Sequence, residues 1–521
     1  MKNRVIIYLI GLLLFQPIAL ISQSNQKQTT LNKPTTFKNR STLIQNIWIL
    51  DGTGAPAKKG SLRISGNRII AIGKLQPIVG EIVIDGKDQY LSPGFIDSHS
   101  HHFGSLKNEP TGIAMTNQGI TTIIIGQDGD SHPMDSLTAF FNQHKIAVNV
   151  ASYTGHSSIR ESVMGENNVF RPSTLEEIAQ MKKYLAADLQ KGSLGLSTGL
   201  EYESAFYSSK EEVLALAQLT AKMKGRYMSH IRSEDIHLDD AIDEIIAIGK
   251  ITGMPVKLSH IKIANKDDWG KANLIIQKLE QARKQGVNIT ADVYPYNFWN
   301  STLRVLFPDK AFTNIKSAEF AVNKLFDANQ SVLVRFAPIP SYAGKTIRAI
   351  AKERNETEAV TLMNLIQIAA DYKKTNPNAG GIEAIAGKSM NDADVAEFIQ
   401  WSQANICSDG AAGGHPRGYG AFTRVLGKYV REQQLLSLPQ AIHKMTGLTA
   451  QHLGLEKRGK IALGYFADLV LFDPSTINDH ATIQNGKALS TGINCVWVNG
   501  KIVYQAQQAT GELSGSLIKR N

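Results

Sequence analysis

The 521-residue sequence predicts an α/β protein: a (β/α)8 TIM-like barrel with a small β-sandwich domain formed by the N- and C-terminal segments. In the middle of the chain, eight short apolar runs mostly alternate with longer amphipathic stretches, as strands and helices alternate in such a barrel. At both ends, short β-prone runs are divided by Gly turns instead. The predicted boundaries are residues 42–91 and 455–510 for the β-sandwich and 92–454 for the barrel, with an insertion at about 300–400.

The start of the chain is predicted to direct export. Two basic residues precede an apolar run from Val5 to Phe15, and Ser22-Gln23-Ser24 offers small residues for a cleavage site. Because the run is short, it predicts a signal peptide over residues 1–24 rather than a spanning helix. Residues 25–41 are polar and predict a flexible leader. We therefore expect an exported protein, periplasmic or secreted, with no membrane span after signal cleavage.

Composition limits the classes of partner. The chain has 56 Lys and Arg against 46 Asp and Glu, but the basic residues are scattered and form no run typical of nucleic-acid binding. We expect no nucleic-acid partner, and the oligomeric state is left open. The two cysteines, Cys407 and Cys495, can pair in an oxidising compartment, but they define no disulfide scaffold.

The predicted barrel strands are taken in chain order. They are Gly94–His99, Thr121–Gly126, Ala147–Tyr153, Ser193–Thr198, Tyr227–Ile231, Val256–Ile261, Val287–Val293 and Asn405–Ser408. Helical patterns between them include Thr174–Gln190, Lys210–Lys224, Leu238–Lys250 and Ala272–Lys284. The stretch between the seventh and eighth strands is too long for one helix, so we expect extra helices there, or a lid over the site.

The ends of these strands carry the residues that suggest chemistry. The first strand runs into His99-Ser100-His101, and residues i and i+2 of a strand point to the same side, so both imidazoles can bind one metal ion. Asp128 follows the second strand, His230 and His260 end the fifth and sixth, and Asp409 follows the eighth. The active site of a parallel barrel lies at the carboxyl ends of its strands.

Four histidines and two carboxylates at one barrel mouth predict a site for one or two metal ions. A metal ion lowers the pKa of bound water to about 7, which provides a nucleophile without an activated Ser or Cys. Asp409 would orient that water, accept its proton and pass the proton to the leaving amine. The predicted reaction is hydrolysis of an amide or a related bond.

Several motifs resemble those of the amidohydrolase superfamily and, within it, the N-acyl-D-amino-acid deacylases (D-aminoacylases). The resemblance extends from about residue 43 to residue 504. The motifs are Pro93-Gly94-Phe95-Ile96-Asp97-Ser98-His99, Gly155-His156-Ser157-Ser158-Ile159-Arg160, Gly195-Leu196-Ser197-Thr198-Gly199-Leu200-Glu201-Tyr202, Ser229-His230-Ile231-Arg232-Ser233-Glu234, Leu258-Ser259-His260-Ile261-Lys262, Asp292-Val293-Tyr294-Pro295-Tyr296, Ser408-Asp409-Gly410, His415-Pro416-Arg417 and the stretch from Arg424 to Glu432.

The resemblance implies a metal-dependent hydrolase that cleaves N-acyl-D-amino acids to a carboxylate and a free D-amino acid. It implies one metal site at His99 and His101, a second at His230 and His260, Zn²⁺ as the ion, and Asp409 as the general acid/base. The partner is then a small-molecule substrate that carries a carboxylate. The residues implied to bind the substrate's carboxylate and acyl group are Lys262, Tyr202, Tyr294 and Arg417.

One position departs from the family pattern. The deacylases place a bridging Cys in Gly-Asn-Cys-Gly, where this chain has Gly126-Gln127-Asp128-Gly129. Asp128 either bridges two ions through its carboxylate oxygens, which we favour, or does not ligate and leaves one metal site weak or empty. A carboxylate is a harder ligand than a thiolate, so it shifts the metal preference away from the softest ions.

Two other functions stay open. One is a dipeptidase acting on peptides with a C-terminal D-residue, or another cyclic or linear amide hydrolase of the same superfamily. The other is a non-catalytic exported binding protein on a decayed barrel. That second alternative predicts missing ligands, whereas every expected position holds a chemically competent side chain.

Overall fold

A computed structural model describes residues 41–520 of the chain. The predicted signal peptide and the first part of the predicted leader, residues 1–40, lie outside the described residues. Within residues 41–520, no helix has both the length and the apolar character needed to cross a bilayer.

The described strands and helices are numbered in chain order. The strands are β1 (Thr42–Ile49), β2 (Lys58–Ser65), β3 (Arg68–Gly73), β4 (Ile82–Pro93), β5 (Phe95–Asp97), β6 (Ile120–Ile125), β7 (Asn149–Ser152), β8 (Thr154–Gly155), β9 (Gly195–Gly199), β10 (Arg226–His230), β11 (Val256–Leu258), β12 (Ile289–Val293), β13 (Phe298–Ser301), β14 (Val332–Phe336), β15 (Glu383–Lys388), β16 (Ala404–Ile406), β17 (Leu469–Phe472), β18 (Ile493–Val498), β19 (Lys501–Gln505) and β20 (Gln508–Ala509). The α-helices are α1 (Ile113–Thr116), α2 (Met134–Gln143), α3 (His156–Met164), α4 (Leu175–Gln190), α5 (Glu203–Phe206), α6 (Lys210–Lys222), α7 (Leu238–Thr252), α8 (Ala272–Lys284), α9 (Ile315–Phe320), α10 (Ile347–Arg354), α11 (Glu358–Thr375), α12 (Asp392–Gln400), α13 (Arg417–Arg424), α14 (Leu438–Met445) and α15 (Gly447–Leu453).

Parallel strands close into the barrel. β5, β6 and β7 pair side by side, as do β8 to β12 and β16. Only Tyr153 separates β7 from β8, so these two segments form one interrupted strand that belongs to both sets. The ring closes where the Asp409 N–H donates to the His99 carbonyl at 2.8 Å and the His101 N–H donates to the Gly410 carbonyl at 2.8 Å. The predicted (β/α)8 fold class is confirmed.

The local sequence explains these elements. Every residue of β6, a run of Ile and Thr, is buried, as a barrel strand covered on both faces requires. α4 begins at a capping box in which Thr174 and Glu177 satisfy each other's free backbone N–H groups. α7 ends at Gly253, whose φ of 68° suits a residue without a Cβ. Each of the eight predicted strands overlaps an observed one, and the four predicted helices correspond to α4, α6, α7 and α8.

Strands from both ends of the chain form one sheet, in the order β20-β19-β18-β17-β4-β1-β2-β3. β4 pairs in parallel with β1 and antiparallel with β17, so it connects the strands of the N-terminal segment to those of the C-terminal segment within one sheet. Ile47 and Leu62 from the first end and Leu469 and Trp497 from the second are buried in a common core. The predicted composite domain therefore takes the form of one continuous sheet.

The two cysteines are buried and free. Cys407 lies in the main core, which contains the barrel, and Cys495 lies in the core of the terminal sheet.

The insertion between β12 and β16 contains a three-stranded antiparallel sheet, β13-β15-β14, together with α9, α10 and α11. A 3₁₀ turn, Leu303–Leu306, follows β13. The N–H of Leu303 donates to the Glu383 carboxylate on β15 at 3.0 and 3.2 Å, which fixes the start of this turn.

Glu383 also gives the stability of the fold a dependence on pH. Burial raises the pKa of this carboxyl from 4.5 to about 7. The folded protein therefore keeps a proton that the unfolded chain loses above pH 4.5. Because of this difference, Glu383 lowers the free energy of unfolding as the pH rises from about 4.5 to 7. We expect Glu383→Gln to raise the Tm at pH 8 by roughly 2–5 °C, and several-fold less at pH 5, by calorimetry. The exposed Glu353→Gln is the control; an equal gain from Glu383→Gln at both pH values would contradict this assignment.

Candidate metal centre and active site

The barrel topology gathers the six predicted metal-site and acid/base residues at one mouth. His99 and His101 follow β5, Asp128 follows β6, and Asp409 follows β16. His230 is the last residue of β10, and His260 lies two residues beyond β11. Their side-chain nitrogen and oxygen atoms fall into two overlapping groups, and Asp128 belongs to both. Within each group, the atoms that could bind a metal ion lie within 4.8 Å of one another.

The first group contains His99, His101, Asp128 and Asp409. The Nε2 atom of His99 lies 3.1 Å from Asp128 Oδ2 and 3.4 Å from Asp409 Oδ1. The Nε2 atom of His101 lies 3.3 and 3.2 Å from the same two oxygens. Two imidazole nitrogens and two carboxylate oxygens thus face one point, a donor set that suits zinc and similar divalent ions.

The second group lies on the other side of Asp128. His260 Nε2 is 3.5 Å from Asp128 Oδ1 and 3.0 Å from His230 Nδ1. Asp128 Oδ1 is buried and has no hydrogen-bond partner among the described residues. One carboxylate therefore turns one oxygen to each histidine pair, the geometry that a bridging ligand needs.

Two glutamates orient the second histidine pair. His230 Nε2 lies 2.7 Å from Glu201 Oε2, and His260 Nδ1 lies 3.0 Å from Glu234 Oε1. Metal-binding histidines usually donate their second ring N–H to such a carboxylate, which leaves the other nitrogen free for the ion. Glu201 and Glu234 lie within the motifs that resemble those of the deacylases, but no role was predicted for either residue. Glu201 lies two residues beyond β9 and Glu234 four residues beyond His230, so the rule that located the histidines at strand ends extends to both.

The backbone at three of these residues is strained. Asp128, His260 and Asp409 have φ values of 55°, 36° and 48°, in the left-handed region that costs energy for residues with a side chain. Asp128 is held there by close packing. A Cβ on Gly199 of β9 would lie only 2.0 Å from the Asp128 carbonyl oxygen. Only glycine at position 199 permits this approach.

Arg417 fixes the orientation of Asp409. Its Nη1 lies 2.7 Å from Asp409 Oδ2, which leaves Asp409 Oδ1 facing the histidines. Burial alone would raise the pKa of Asp409, but the Arg417 guanidinium and the imidazoles of His99 and His101 outweigh it and hold the pKa well below its usual range. At Asp128, burial likewise raises the pKa, but the imidazoles of His99, His101 and His260 outweigh burial and lower it. Both side chains are therefore anionic acceptors.

The four predicted substrate-binding residues line one cavity with His230, His260 and Asp409. Lys262 forms a buried ion pair with Glu234, with Nζ–O distances of 2.6 and 2.8 Å. The ring of Tyr294 lies close to two cations, with the Arg417 guanidinium carbon 4.8 Å and the Lys262 ammonium 5.8 Å from its centroid. Tyr202 packs on His230, with ring centroids 4.4 Å apart. Both cations predicted to bind the substrate thus have carboxylate partners in the described structure.

The amidohydrolase family model matches residues 82–369 and 405–504. The chain belongs to the amidohydrolase family. This amidohydrolase is 31% identical to an N-acyl-D-glutamate deacylase of Alcaligenes xylosoxydans xylosoxydans, over 92% of this chain and 96% of that protein. It is 29% identical to a D-aminoacylase of the same organism, over 91% of this chain and 96% of the other. The predicted resemblance to the D-aminoacylases is confirmed.

A solved structure extends the comparison to the metal. The crystal structure of N-acyl-D-glutamate deacylase from Bordetella bronchiseptica, complexed with zinc and a phosphonate inhibitor, superimposes with a TM-score of 0.81 at 29% identity. The match covers 92% of this chain and 100% of the Bordetella chain. The amidohydrolase described here is accordingly a hydrolase of amide bonds, and its two histidine groups are suited to bind metal ions.

Proposed function

We propose that this amidohydrolase is a metal-dependent enzyme that cleaves N-acyl-D-amino acids to a carboxylate and a free D-amino acid. The observation that carries the proposal is the arrangement around Asp409. One of its oxygens faces His99 and His101 at 3.4 and 3.2 Å, and the other is held by Arg417 at 2.7 Å. A potential proton acceptor thus lies between the metal ligands and a cation that can bind a substrate carboxylate.

The residues proposed to hold the metal ions are His99 and His101 on one side, His230 and His260 on the other, and Asp128 between them. The ion, when bound, supplies a Lewis acid for the scissile carbonyl and lowers the pKa of a water molecule to about 7. Zn²⁺ is the proposed ion, supported by the nitrogen and oxygen donor set and by the zinc in the Bordetella relative. Glu201 and Glu234 hold the second pair of imidazoles in orientation.

Asp409 is proposed to move the proton. It accepts the proton of the attacking water at Oδ1 and then donates it to the nitrogen that leaves as the amine. Its low pKa makes it a weak base while Arg417 is its partner. A substrate carboxylate bound to Arg417 would neutralise part of this cation and raise the pKa of Asp409. Substrate binding would then strengthen the base that the reaction needs.

The substrate carboxylate is proposed to bind among Arg417, Lys262, Tyr294 and Tyr202. The guanidinium of Arg417 presents a planar fork that suits a carboxylate. Because Lys262 and Tyr294 line the cavity beside His230 and His260, this cavity takes the half of the substrate that becomes the D-amino acid. Export to the periplasm or the medium, proposed from the apolar start of the sequence, would expose the enzyme to such compounds outside the cytosol.

A second substrate class is favoured by another cavity. On the His101 side of Asp409, a second space is lined by Asp128, Asp409 and Arg417 of the site and by two further carboxylates, Asp130 and Glu161. They accept hydrogen bonds from Ser158 and Ser204. An acyl group with a free ammonium group would suit these carboxylates. The alternative function is thus cleavage of dipeptides with a C-terminal D-residue.

Substrate panels test the proposal. The purified zinc-loaded protein is incubated with N-acetyl-D-amino acids, their L-forms, L-Xaa-D-Xaa dipeptides and dihydroorotate. We expect cleavage of the D-compounds, no cleavage of the L-forms, loss of activity after dialysis against a chelator, and recovery with zinc. Cleavage of dihydroorotate alone would contradict the proposal, and cleavage of dipeptides alone would favour the alternative.

A further inference from the structure

The cavity beside His230 and His260 has an apolar wall that belongs to the insertion. Its apolar residues are Trp299 on β13, Val305 and Leu306 in the following 3₁₀ turn, and Leu325. Leu306 and Leu325 are 2% and 3% exposed, and Trp299 is 9% exposed. Ala264, beyond β11, adds a further apolar surface. Barrel residues thus supply the charged side of the cavity and the insertion supplies most of the apolar side.

This wall is held in place by contacts outside the cavity. Arg304 forms a bidentate ion pair with Glu203 of α5, at 2.7 and 2.8 Å, and anchors the turn that carries Val305 and Leu306. The indole of Trp299 lies against Gly387 of β15, where a Cβ would approach the ring to 2.5 Å. A rigid wall of this kind can discriminate among side chains by shape, because it does not rearrange to fit each one.

The charges around the cavity disfavour a second anion. Among its lining residues, the cations are Lys262 and Arg417, and each already contacts a carboxylate. The lining acids are Glu201, Glu234, Asp235 and Asp409. Once the α-carboxylate of a substrate has bound Arg417 or Lys262, an acidic side chain would be buried among these carboxylates, with no further lysine or arginine in the cavity lining to pair with it. Burial of an unpaired charge of this kind is strongly unfavourable.

Lys310 is a further buried cation near this region, but it does not line the cavity. Its ammonium group lies 5.1 Å from the centroid of the Phe206 ring. Burial lowers the pKa of this ammonium group, and the nearby carboxylates of Glu201 and Asp235 offset that shift only in part.

We propose that this cavity binds the side chain of the D-amino acid and selects apolar side chains that reach its apolar wall over acidic ones. The proposal rests on the proposed function and specifies its substrate class. The proposed side-chain preference differs from the substrate in the name of the relative called N-acyl-D-glutamate deacylase.

The test compares kcat/KM of the zinc-loaded enzyme for N-acetyl-D-leucine, N-acetyl-D-alanine, N-acetyl-D-glutamate and N-acetyl-D-aspartate. We expect D-leucine to exceed D-alanine by at least about 10-fold and each acidic substrate by at least about 100-fold. Equal or faster cleavage of either acidic substrate would overturn the proposal.

A binding measurement separates a failure of the proposed function from a failure of the proposed side-chain preference. Calorimetry with the uncleavable sulfonamides N-mesyl-D-leucine and N-mesyl-D-glutamate measures the preference of the cavity without turnover. Tighter binding of the leucine compound, by at least about 10-fold, is expected. If no N-acetyl-D-amino acid is cleaved yet this preference is found, the proposed function fails and the side-chain preference stands. Equal binding, or tighter binding of the glutamate compound, overturns the preference whether or not turnover occurs.

A variant tests the wall itself. Val305→Arg places a cation at a half-buried wall position, and we expect the D-leucine to D-glutamate ratio of kcat/KM to fall at least about 10-fold. Val79→Arg, on an exposed loop of the terminal sheet, is the matched control and should leave the ratio unchanged. An unchanged ratio in a folded Val305→Arg protein would exclude Val305 from the side-chain site and overturn the assignment of this wall.

Discussion

Replacing Asp409 by Asn is expected to lower kcat for an N-acyl-D-amino acid by about 10²- to 10⁴-fold while most of the bound metal is retained. The amide keeps the shape of the carboxylate but cannot accept the proton of the attacking water. His99, His101 and Asp128 still face the first metal position, so occupancy should change little. Metal content by mass spectrometry and steady-state kinetics on the same preparation measure both quantities.

A matched variant separates this effect from a general loss of charge. Asp371→Asn removes a carboxylate from the exposed side of α11, where it bonds Gln367 and Lys374, and should leave kcat unchanged. Unfolding of Asp409→Asn is checked by Tm, because the variant leaves Arg417 without its ionic partner. Near-normal turnover by a folded, metal-loaded Asp409→Asn protein would show that another group is the acid/base.

Asp128→Ala is expected to remove at least one metal ion per chain and to lower kcat at least about 10³-fold. Asp128 turns one oxygen to His99 and His101 and the other to His260, so its loss leaves both histidine pairs without a shared ligand. The measurement is metal stoichiometry after dialysis. Asp130→Ala, two residues away and exposed, is the control and should keep the metal content of the wild type.

Asp128→Cys tests the chemistry of the same position. A thiolate is a softer ligand than a carboxylate, so this variant should retain metal and favour zinc over manganese by at least about 10-fold more than the wild type. If Asp128→Ala binds as many ions as the wild type with the same affinity, Asp128 is not a ligand and the two sites are not bridged.

Strand periodicity predicted the positions of the histidines because their placement follows from the barrel alone. In a parallel barrel, a residue at the carboxyl end of a strand lies at the mouth regardless of the loop conformations. This rule was sufficient to predict the positions of His99, His230 and His260. The structure adds that Asp128 and Asp409 adopt left-handed backbone conformations. These depend on tertiary packing, such as that of Gly199, and local sequence does not specify them.

The partners of the site residues were harder to predict. Glu201 and Glu234 face His230 and His260 only because loops after two neighbouring strands converge, and their distances in the sequence do not encode that contact. The ion pair of Lys262 with Glu234 has the same origin. At the chain ends, the β-prone runs predicted a shared domain, but the pairing of β4 with strands from both ends emerged only in three dimensions.

Anomalous diffraction from crystals of the zinc-loaded protein tests the central claim most directly. We expect zinc at the barrel mouth, within about 2.0–2.2 Å of imidazole nitrogens of His99 and His101, of His230 and His260, or of both pairs, with an oxygen of Asp128 in the coordination sphere. Zinc bound elsewhere on the chain, with these four histidines uncoordinated, would contradict it.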